Sequence, residues 1–193
     1  MKAIVIGATG IIGGAVAEAL EASGHEVLRA ARRGPLRVDM EDPGSIDALL
    51  ESVGPVDAIV CCAASGRLAS LVESSDAEFT LGLQGKLLGQ IALVRRAPKY
   101  LRDGGSITIT SGRWEALPGG SFAAVVNAGL DAFAQAAAVE LPRGIRLNAV
   151  SPGWVRETLV RLGMDGTPGT PAAEIAGRYV EAVESGVQGR RLT

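Results

Sequence analysis

The sequence predicts an α/β protein, a doubly wound three-layer sandwich in which helices cover both faces of a mostly parallel, seven-stranded sheet. Short apolar runs alternate along the chain with longer segments of helical period, which is typical of βαβ units and of a sheet covered on both faces. The chain has 193 residues, which is long enough to bury one substantial core but short for two independent domains. We therefore expect a single domain that spans residues 1–193.

Seven strands are predicted, at residues 3–6, 26–30, 36–38, 58–62, 106–110, 146–151 and 190–193. Five helices are predicted between them, at residues 12–23, 45–53, 76–96, 122–141 and 172–184. Glycine and proline mark helix ends, as Gly24 does after the first helix and Pro142 after the fourth. Residues 162–171 hold three glycines and two prolines and are expected to form a loop at the mouth of the site.

The charge of the chain points to a small-molecule ligand. The formal net charge is −2 at pH 7, so no basic surface is expected for nucleic acid or for an anionic membrane. No apolar run reaches the roughly 18 residues of a membrane span, and the first residues do not have a signal-peptide layout, so we expect a cytoplasmic protein. Cys61 and Cys62 are adjacent, which would strain a disulfide and provides too few ligands for a metal, so both are expected to be buried thiols.

A glycine-rich turn follows the first predicted strand and leads directly into a helix. In this context Gly7 permits a tight exit from the strand, Gly10 lets backbone amides approach a diphosphate, and Gly13 allows close packing of helix on sheet. The helix N-terminus then faces the phosphate charge. The pattern predicts a Rossmann-type dinucleotide-binding domain whose cofactor contacts at this turn are Gly7, Thr9, Gly10, Ile11, Ile12 and Gly13.

Two arginines follow the second predicted strand, where a carboxylate would select the ribose 2′-hydroxyl of NAD(H). Arg32 and Arg33 suit a 2′-phosphate instead, through charge-assisted hydrogen bonds, and no acidic residue lies between Glu26 and Asp39. The alternative is that both arginines are ordinary solvated surface charges. The sequence therefore favours NADP(H) over NAD(H).

Taken in order, five motifs of the chain resemble those of the short-chain dehydrogenase/reductase family. After the glycine turn come Asp39-Met40, Cys61-Cys62-Ala63-Ala64, the strand at 107–111 that ends in Ser111, and the segment at 148–155 that contains Pro152-Gly153. In the family these segments contact the adenine, end the fourth strand, carry the catalytic serine and line the nicotinamide pocket. The resemblance implies further cofactor contacts from Asp39, Met40, Cys62, Ala63, Ala64, Pro152, Gly153 and Val155.

The resemblance fails at the catalytic helix, where family members carry a Tyr-x-x-x-Lys pair. Matching the segment at 127–133 to the family places Ala123 at the tyrosine and Asn127 at the lysine, so both proton-handling groups are expected to be absent. Ser111 remains as a catalytic residue. Lys86 stands where the family has an active-site asparagine that bends the preceding helix, and burial could lower its pKa enough for proton exchange near neutrality. The alternatives are that Lys86 reaches the surface or pairs with an acid such as Glu78.

Loops after the fifth and sixth strands supply candidate substrate contacts. Their arginines and tryptophans would suit an acidic or aromatic substrate, or they could simply pack the rim of the site. The candidates, together with the cleft-facing asparagine of the catalytic helix, are Arg113, Trp114, Asn127, Trp154 and Arg156.

Three functions fit these motifs. The favoured one is an NADP(H)-dependent oxidoreductase that acts on a carbonyl, alcohol or enone, with Lys86, water or the substrate handling the proton. The others are a non-redox isomerase, dehydratase or cyclase that keeps the cofactor cleft, and a non-catalytic NADP(H) sensor. Small residues along the helices predicted at 76–96 and 122–141 would let partner helices approach closely, so a homodimer or homotetramer is expected.

Overall fold

The computed structural model describes residues 1–64, 68–113 and 116–193. Seven strands form one sheet in the order β3-β2-β1-β4-β5-β6-β7, and every strand pair in the described chain is parallel. The predicted fold class is confirmed. The strands are β1 Lys2–Ile6, β2 Glu26–Ala31, β3 Leu36–Arg37, β4 Val56–Cys61, β5 Leu101–Thr110, β6 Arg146–Val150 and β7 Arg191–Leu192.

Helices cover both faces of the sheet. They are α1 Ile11–Ala22, α2 Pro43–Val53, α3 Asp76–Phe79, α4 Gly89–Arg96, α5 Ser121–Ala138, α6 Arg156–Arg161 and α7 Ala172–Glu184. A π-helix at Leu83–Leu88 precedes α4, and a 3₁₀-helix at Ala97–Lys99 follows it. No helix in the described ranges is both long enough and apolar enough to span a bilayer.

The sheet separates two apolar cores. On one face α2, α4 and α5 pack over residues such as Ile59 and Ile107, and on the other α1 and α7 pack over Val5 and Val60. Tyr179 of α7 is fully buried in the second core. The strand order changes direction between β1 and β4, and a doubly wound sheet opens a crevice at such a point, beyond the carboxyl ends of the strands.

The helix predicted at 76–96 is wrong as a single α-helix. The structure divides it into α3, the π-helix and α4, with Gly82 in a left-handed conformation (φ 101°) before the π-helix. The amide of Leu87 donates to the carbonyl of Gly82, 3.1 Å away, which is the wider π-type spacing. The apolar period runs through all three segments, so the sequence pattern alone did not reveal the break. The short helix α6 was also missed.

Gly89 is required where α4 crosses the loop after β3. A Cβ at this position would lie 2.2 Å from the carbonyl oxygen of Met40, a backbone atom that cannot rotate away. We expect Gly89→Ala to lower the free energy of unfolding by about 1–3 kcal/mol through overpacking. Urea denaturation measures the change.

Gly177→Ala is the matched control, because Gly177 is an exposed glycine within α7 and a Cβ there meets no atom within 4 Å. Alanine should stabilise that helix by about 0.5–1 kcal/mol. Equal effects of the two substitutions would show that the contact with Met40 does not constrain the fold.

Candidate active site

The turn after β1 is built so that only glycine fits at two positions. Gly7 has a φ of +86°, and a Cβ on it would lie 2.7 Å from the amide nitrogen of Ala63. A Cβ on Gly13 would lie 2.1 Å from the carbonyl oxygen of Gly7. The helix α1 then begins after Gly10, which provides no side-chain cap for the first-turn amides. These amides are therefore free to face an anion, as the sequence predicts.

A cavity of about 580 Å³ opens beside this turn, a size that suits a small-molecule ligand or part of a cofactor. Arg32 and Arg33 line one end of it, directly after β2, and both are exposed. The full lining is Ile6, Gly7, Thr9, Gly10, Ala31, Arg32, Arg33, Val38, Asp39, Met40, Glu41, Cys62, Ala63, Ala64 and Gly85.

Most of the predicted cofactor contacts thus come together on one cavity. Ile11, Ile12 and Gly13 lie in the first turn of α1. Pro152, Gly153 and Val155 follow β6 and lie outside the described lining. The glycine cradle and the uncapped helix together fit the diphosphate of a dinucleotide, and two arginines line the same cavity.

Asp39 and Cys62 line this cavity, and Cys61 precedes Cys62 at the end of β4. The amide of Asp39 donates to Ser45 Oγ at 2.9 Å, and its Oδ1 accepts from the amide of Glu41 at 3.0 Å. Burial raises the pKa of Cys61 to about 12 and also raises the pKa of Cys62. Both are free thiols. Cys61 is buried, as predicted, whereas Cys62 is half-buried and lines the cavity.

The loops after β5 and β6 are joined by backbone hydrogen bonds. The amide of Ser111 donates to the carbonyl of Val150 at 2.9 Å, and the amide of Arg113 donates to the carbonyl of Pro152 at 2.8 Å. These bonds fix Ser111 at the end of β5, above the crevice. Its hydroxyl donates to Asp131 Oδ1 of α5 at 2.5 Å.

The π-helix directs Lys86 toward this serine. Lys86 Nζ donates to the carbonyl oxygen of Ser111 at 2.9 Å, so the half-buried side chain is turned toward the end of β5. Burial lowers the pKa of Lys86 to about 8, and the negative charge of Asp131 partly opposes that shift. The acid whose charge acts on Lys86 is therefore Asp131, whereas the alternative weighed from the sequence was Glu78.

Gln90 connects the backbone of Lys86 to the backbone of Thr110. Its Nε2 donates to the carbonyls of Lys86 and Thr110, each at 2.9 Å, while its Oε1 accepts from the amide of Thr110 at 2.8 Å. Gln90 is completely buried, so these bonds are not exchanged with water. They connect the π-helix to the end of β5.

Asp131 is the residue that sequence reasoning missed. It lies on α5 four residues after Asn127 and eight after Ala123, so all three share one face of the helix. That spacing was visible in the sequence. Its importance was not, because the resemblance assigns no role to this position.

No tyrosine hydroxyl of the chain faces the crevice. Tyr179 is fully buried, its hydroxyl lies 2.7 Å from Thr110 Oγ1, and burial raises its pKa well above the usual value. The hydroxyl of Tyr100 donates to Glu51 at 3.3 Å, on the α2 side of the sheet. Asn127 is 7% exposed, and its Oδ1 has no hydrogen-bond partner among the described residues.

The predicted substrate contacts do not lie together in the structure. Arg113 lines a smaller cavity of about 340 Å³ with Gly112, Ala128, Asp131 and Arg191. The amide of Arg156 donates to Thr170 at 2.9 Å, and Gly166 packs beside its side chain, away from that cavity. Trp154 is half-buried, and its carbonyl accepts from the amide of Thr170 at 2.8 Å. Trp114 lies outside the described residues.

The family described as Enoyl-(Acyl carrier protein) reductase matches residues 15–176. The 3-oxoacyl-[acyl-carrier-protein] reductase FabG of Escherichia coli is 33% identical in an alignment of 208 positions that covers 94% of this chain and 85% of that enzyme. This chain belongs to the short-chain dehydrogenase/reductase family. The resemblance inferred from the sequence motifs is confirmed, and with it a family of oxidoreductases that bind a nicotinamide cofactor.

Other family members match over much of the chain. An uncharacterized oxidoreductase of Methylorubrum extorquens is 30% identical in an alignment of 171 positions that covers 87% of this chain and 64% of that protein. The crystal structure of a Listeria innocua protein superposes with a TM-score of 0.93 at 38% identity, covering 100% of this chain and 98% of that one. A small-chain dehydrogenase solved in complex with NADPH superposes with a TM-score of 0.85 at 25% identity, covering 100% of this chain and 95% of that one.

The buried amine of this dehydrogenase/reductase predicts a measurable pH dependence of stability. The pKa of Lys86 is about 8 in the folded chain against an ordinary value of 10.5, so the folded state binds fewer protons between these values. Stability therefore rises with pH through this window and is lost as pH falls toward 8. Between pH 8 and pH 10.5, we expect the unfolding free energy of the wild type to increase by about 3 kcal/mol relative to that of the Lys86→Met variant.

Lys99→Met is the matched control, because Lys99 is an exposed lysine at the end of the 3₁₀-helix. Chemical denaturation at several pH values gives the three stability curves. A Lys86→Met curve parallel to the wild type across the window would mean that the amine is not desolvated.

Proposed function

We propose that this chain is an NADP(H)-dependent oxidoreductase that reduces the carbonyl or enone of a small molecule, or oxidises the matching alcohol, with Lys86 handling the proton. The observation that carries the proposal is the inward amine of Lys86, 2.9 Å from the backbone oxygen of Ser111. It brings a titratable donor to the end of β5 in a chain whose two tyrosines both lie elsewhere. A proton donor works best when its pKa lies near the operating pH.

The hydrogen bonds of Ser111 assign different roles to the serine and the lysine. A serine hydroxyl has one hydrogen, and in this structure Asp131 receives it. An ammonium has three, of which one goes to the carbonyl of Ser111. Lys86 therefore keeps hydrogens for the reacting oxygen of a substrate, while Ser111 offers lone pairs that accept from an alcohol.

Asp131 acts in this scheme as a positioning residue. Its carboxylate fixes the rotamer of Ser111 and favours the charged form of Lys86. When bound, the nicotinamide supplies or accepts the hydride. The chain then has to orient the carbonyl, exclude water and move one proton at Lys86 Nζ.

The preference for NADP(H) rests on the arginines at the end of β2. Arg32 and Arg33 line the same cavity as the glycine turn, and a guanidinium pairs with a phosphate in a bidentate fork. The relative solved with NADPH is 25% identical to this chain, which supports the same choice here.

We also propose a homodimer or homotetramer built on α4, α5 and the π-helix. Val125 and Leu88 are 60% and 44% exposed on these elements. Gly129 of α5 already lies close to Leu87 of the π-helix, so small residues serve packing within the chain as well as any contact with a second copy.

Turnover tests the proton donor directly. The protein is mixed with NADPH and a panel of ketones, quinones and enones. At least one compound should cause the absorbance of the reduced nicotinamide to decrease as NADPH is oxidised. We expect kcat for reduction to be level below pH 8 and to fall about tenfold per pH unit above it, as Lys86 loses its proton. Lys86→Met should lower kcat by about 10²- to 10⁴-fold.

The variant Asp131→Asn tests the positioning role. Because the charge of Asp131 raises the pKa of Lys86, its loss should move the alkaline limb of the kcat profile to lower pH. Asp103→Asn, at an exposed ion pair with Arg143, should leave the limb in place. Unchanged turnover in Lys86→Met would contradict the assignment.

Arg32→Asp tests the choice of cofactor. A carboxylate at this position repels a 2′-phosphate and accepts hydrogen bonds from a 2′-hydroxyl, so NADPH should weaken relative to NADH by one to a few kcal/mol, about the strength of a charged hydrogen bond. Fluorescence titration with both nucleotides gives the ratio.

Arg37→Asp makes the same charge change on β3, outside the lining of the cavity. It should alter the ratio only slightly. A ratio that responds equally to both substitutions would reduce the effect of Arg32 to a general change in net charge.

A further inference from the structure

The smaller cavity, of about 340 Å³, lies next to Ser111 and shares no lining residue with the larger one. Gly112 and Arg113 come from the loop after β5, Ala128 and Asp131 from α5, and Arg191 from β7. Asp131 connects the cavity to the proposed reaction site, because its Oδ1 accepts from the hydroxyl of Ser111 while its Oδ2 lies 3.5 Å from Arg191.

Positive charge exceeds negative charge on this lining. The lining contains two arginines, Arg113 and Arg191, and a single acidic residue, Asp131. The short contact of this carboxylate is with Ser111, at 2.5 Å, whereas the contact with Arg191 is long at 3.5 Å. Arg191 is therefore only weakly held.

Arg113 has even fewer bonds. Its amide is tied to Pro152, but within the described ranges its guanidinium makes no hydrogen bond or ion pair. Its fork of donors is available to a ligand, and a planar fork matches a carboxylate or phosphate.

We propose that this cavity is a subsite for the anionic group of the substrate, so that the chain acts on small carbonyl compounds that carry a carboxylate or phosphate. The inference rests on the proposed function, because it assumes that the reacting carbonyl lies at Lys86 and Ser111. Arg113 and Arg191 would hold the anion from two sides. Since one carboxylate reaches both Ser111 and Arg191, the anion and the carbonyl can belong to a molecule of only a few carbon atoms.

Asp131 gives this subsite selectivity as well as connection. Its negative charge opposes a second anion placed deep beside Ser111, so the ligand anion is held at the outer, arginine side of the cavity. The orientation of the substrate is thereby fixed, with its carbonyl group pointing inward and its anionic group pointing outward.

The experiment measures binding, which does not require turnover. Calorimetric titrations of 2-oxobutyrate, acetoacetate, levulinate and hydroxyacetone phosphate are run with and without saturating NADP⁺, since a ketone cannot react with the oxidised cofactor. The methyl esters of the three acids are the uncharged probes. The acid series varies the distance between carbonyl and anion, and the phosphate ester distinguishes phosphate from carboxylate.

The expected result is that at least one anionic compound binds at millimolar concentration or below, while the neutral probes bind at least tenfold more weakly. Arg113→Gln and Arg191→Gln should each weaken the anion at least tenfold. Arg190→Gln is the matched control, because Arg190 is the exposed neighbour of Arg191 and lies outside the lining. It should bind like the wild type.

Equal binding of acids and esters, or no heat with any of the four anions, overturns the inference. So does binding that survives in both arginine variants. Arg113→Gln removes no contact to a described residue, so it remains a clean test if Arg191→Gln disturbs β7. Failure of NADP⁺ to bind, with the arginine-dependent heat intact, would reject the proposed function and leave the anion subsite standing.

Discussion

The arrangement of the site depends on one buried side chain amide, that of Gln90. The pairing of β4 with β5 ends at Val60 and Thr108, and the amide of Thr110 needs a partner from outside this pair of strands. Gln90 supplies it from α4 and at the same time holds the carbonyl of Lys86. A buried amide with these bonds satisfied resists displacement, because breaking any one leaves a polar group unpaired in the core. The position of Lys86 is thus set by the end of β5.

The hydrogen bonds of Gln90 keep Lys86 at a position where burial disfavours the charged form of its amine. Burial alone would push the amine toward its neutral form, and an isolated buried charge is expensive. Asp131 limits that loss from the opposite helix, and the carbonyl of Ser111 accepts one of the amine hydrogens. The outcome is an amine that is neither fully charged nor permanently neutral at physiological pH, which is the condition a proton donor requires.

Local chemistry made much of the fold and the cofactor turn predictable. Gly7 and Gly13 were predictable because a strand, a tight turn and a helix are consecutive in the chain, and the close contact at Gly13 is with Gly7 of the same turn. The break between α3 and α4 was hidden because the apolar period continues through the π-helix, which follows the left-handed Gly82 and is connected through Gln90 to Thr110 of β5. Contacts of that kind join residues far apart in sequence, and periodicity carries no record of them.

The same distinction separates the two arginines of the smaller cavity. Arg113 was identifiable because it follows Ser111 at the end of a strand, where residues overhang a crevice. Arg191 reaches the cavity only because β7 pairs with β6 at the edge of the sheet, and no motif near residue 191 indicates that. Arg156, which the loop position favoured equally, instead lies against the segment at 166–170. Strand order therefore decided which guanidinium groups converge, and it could be known only once the sheet was assembled.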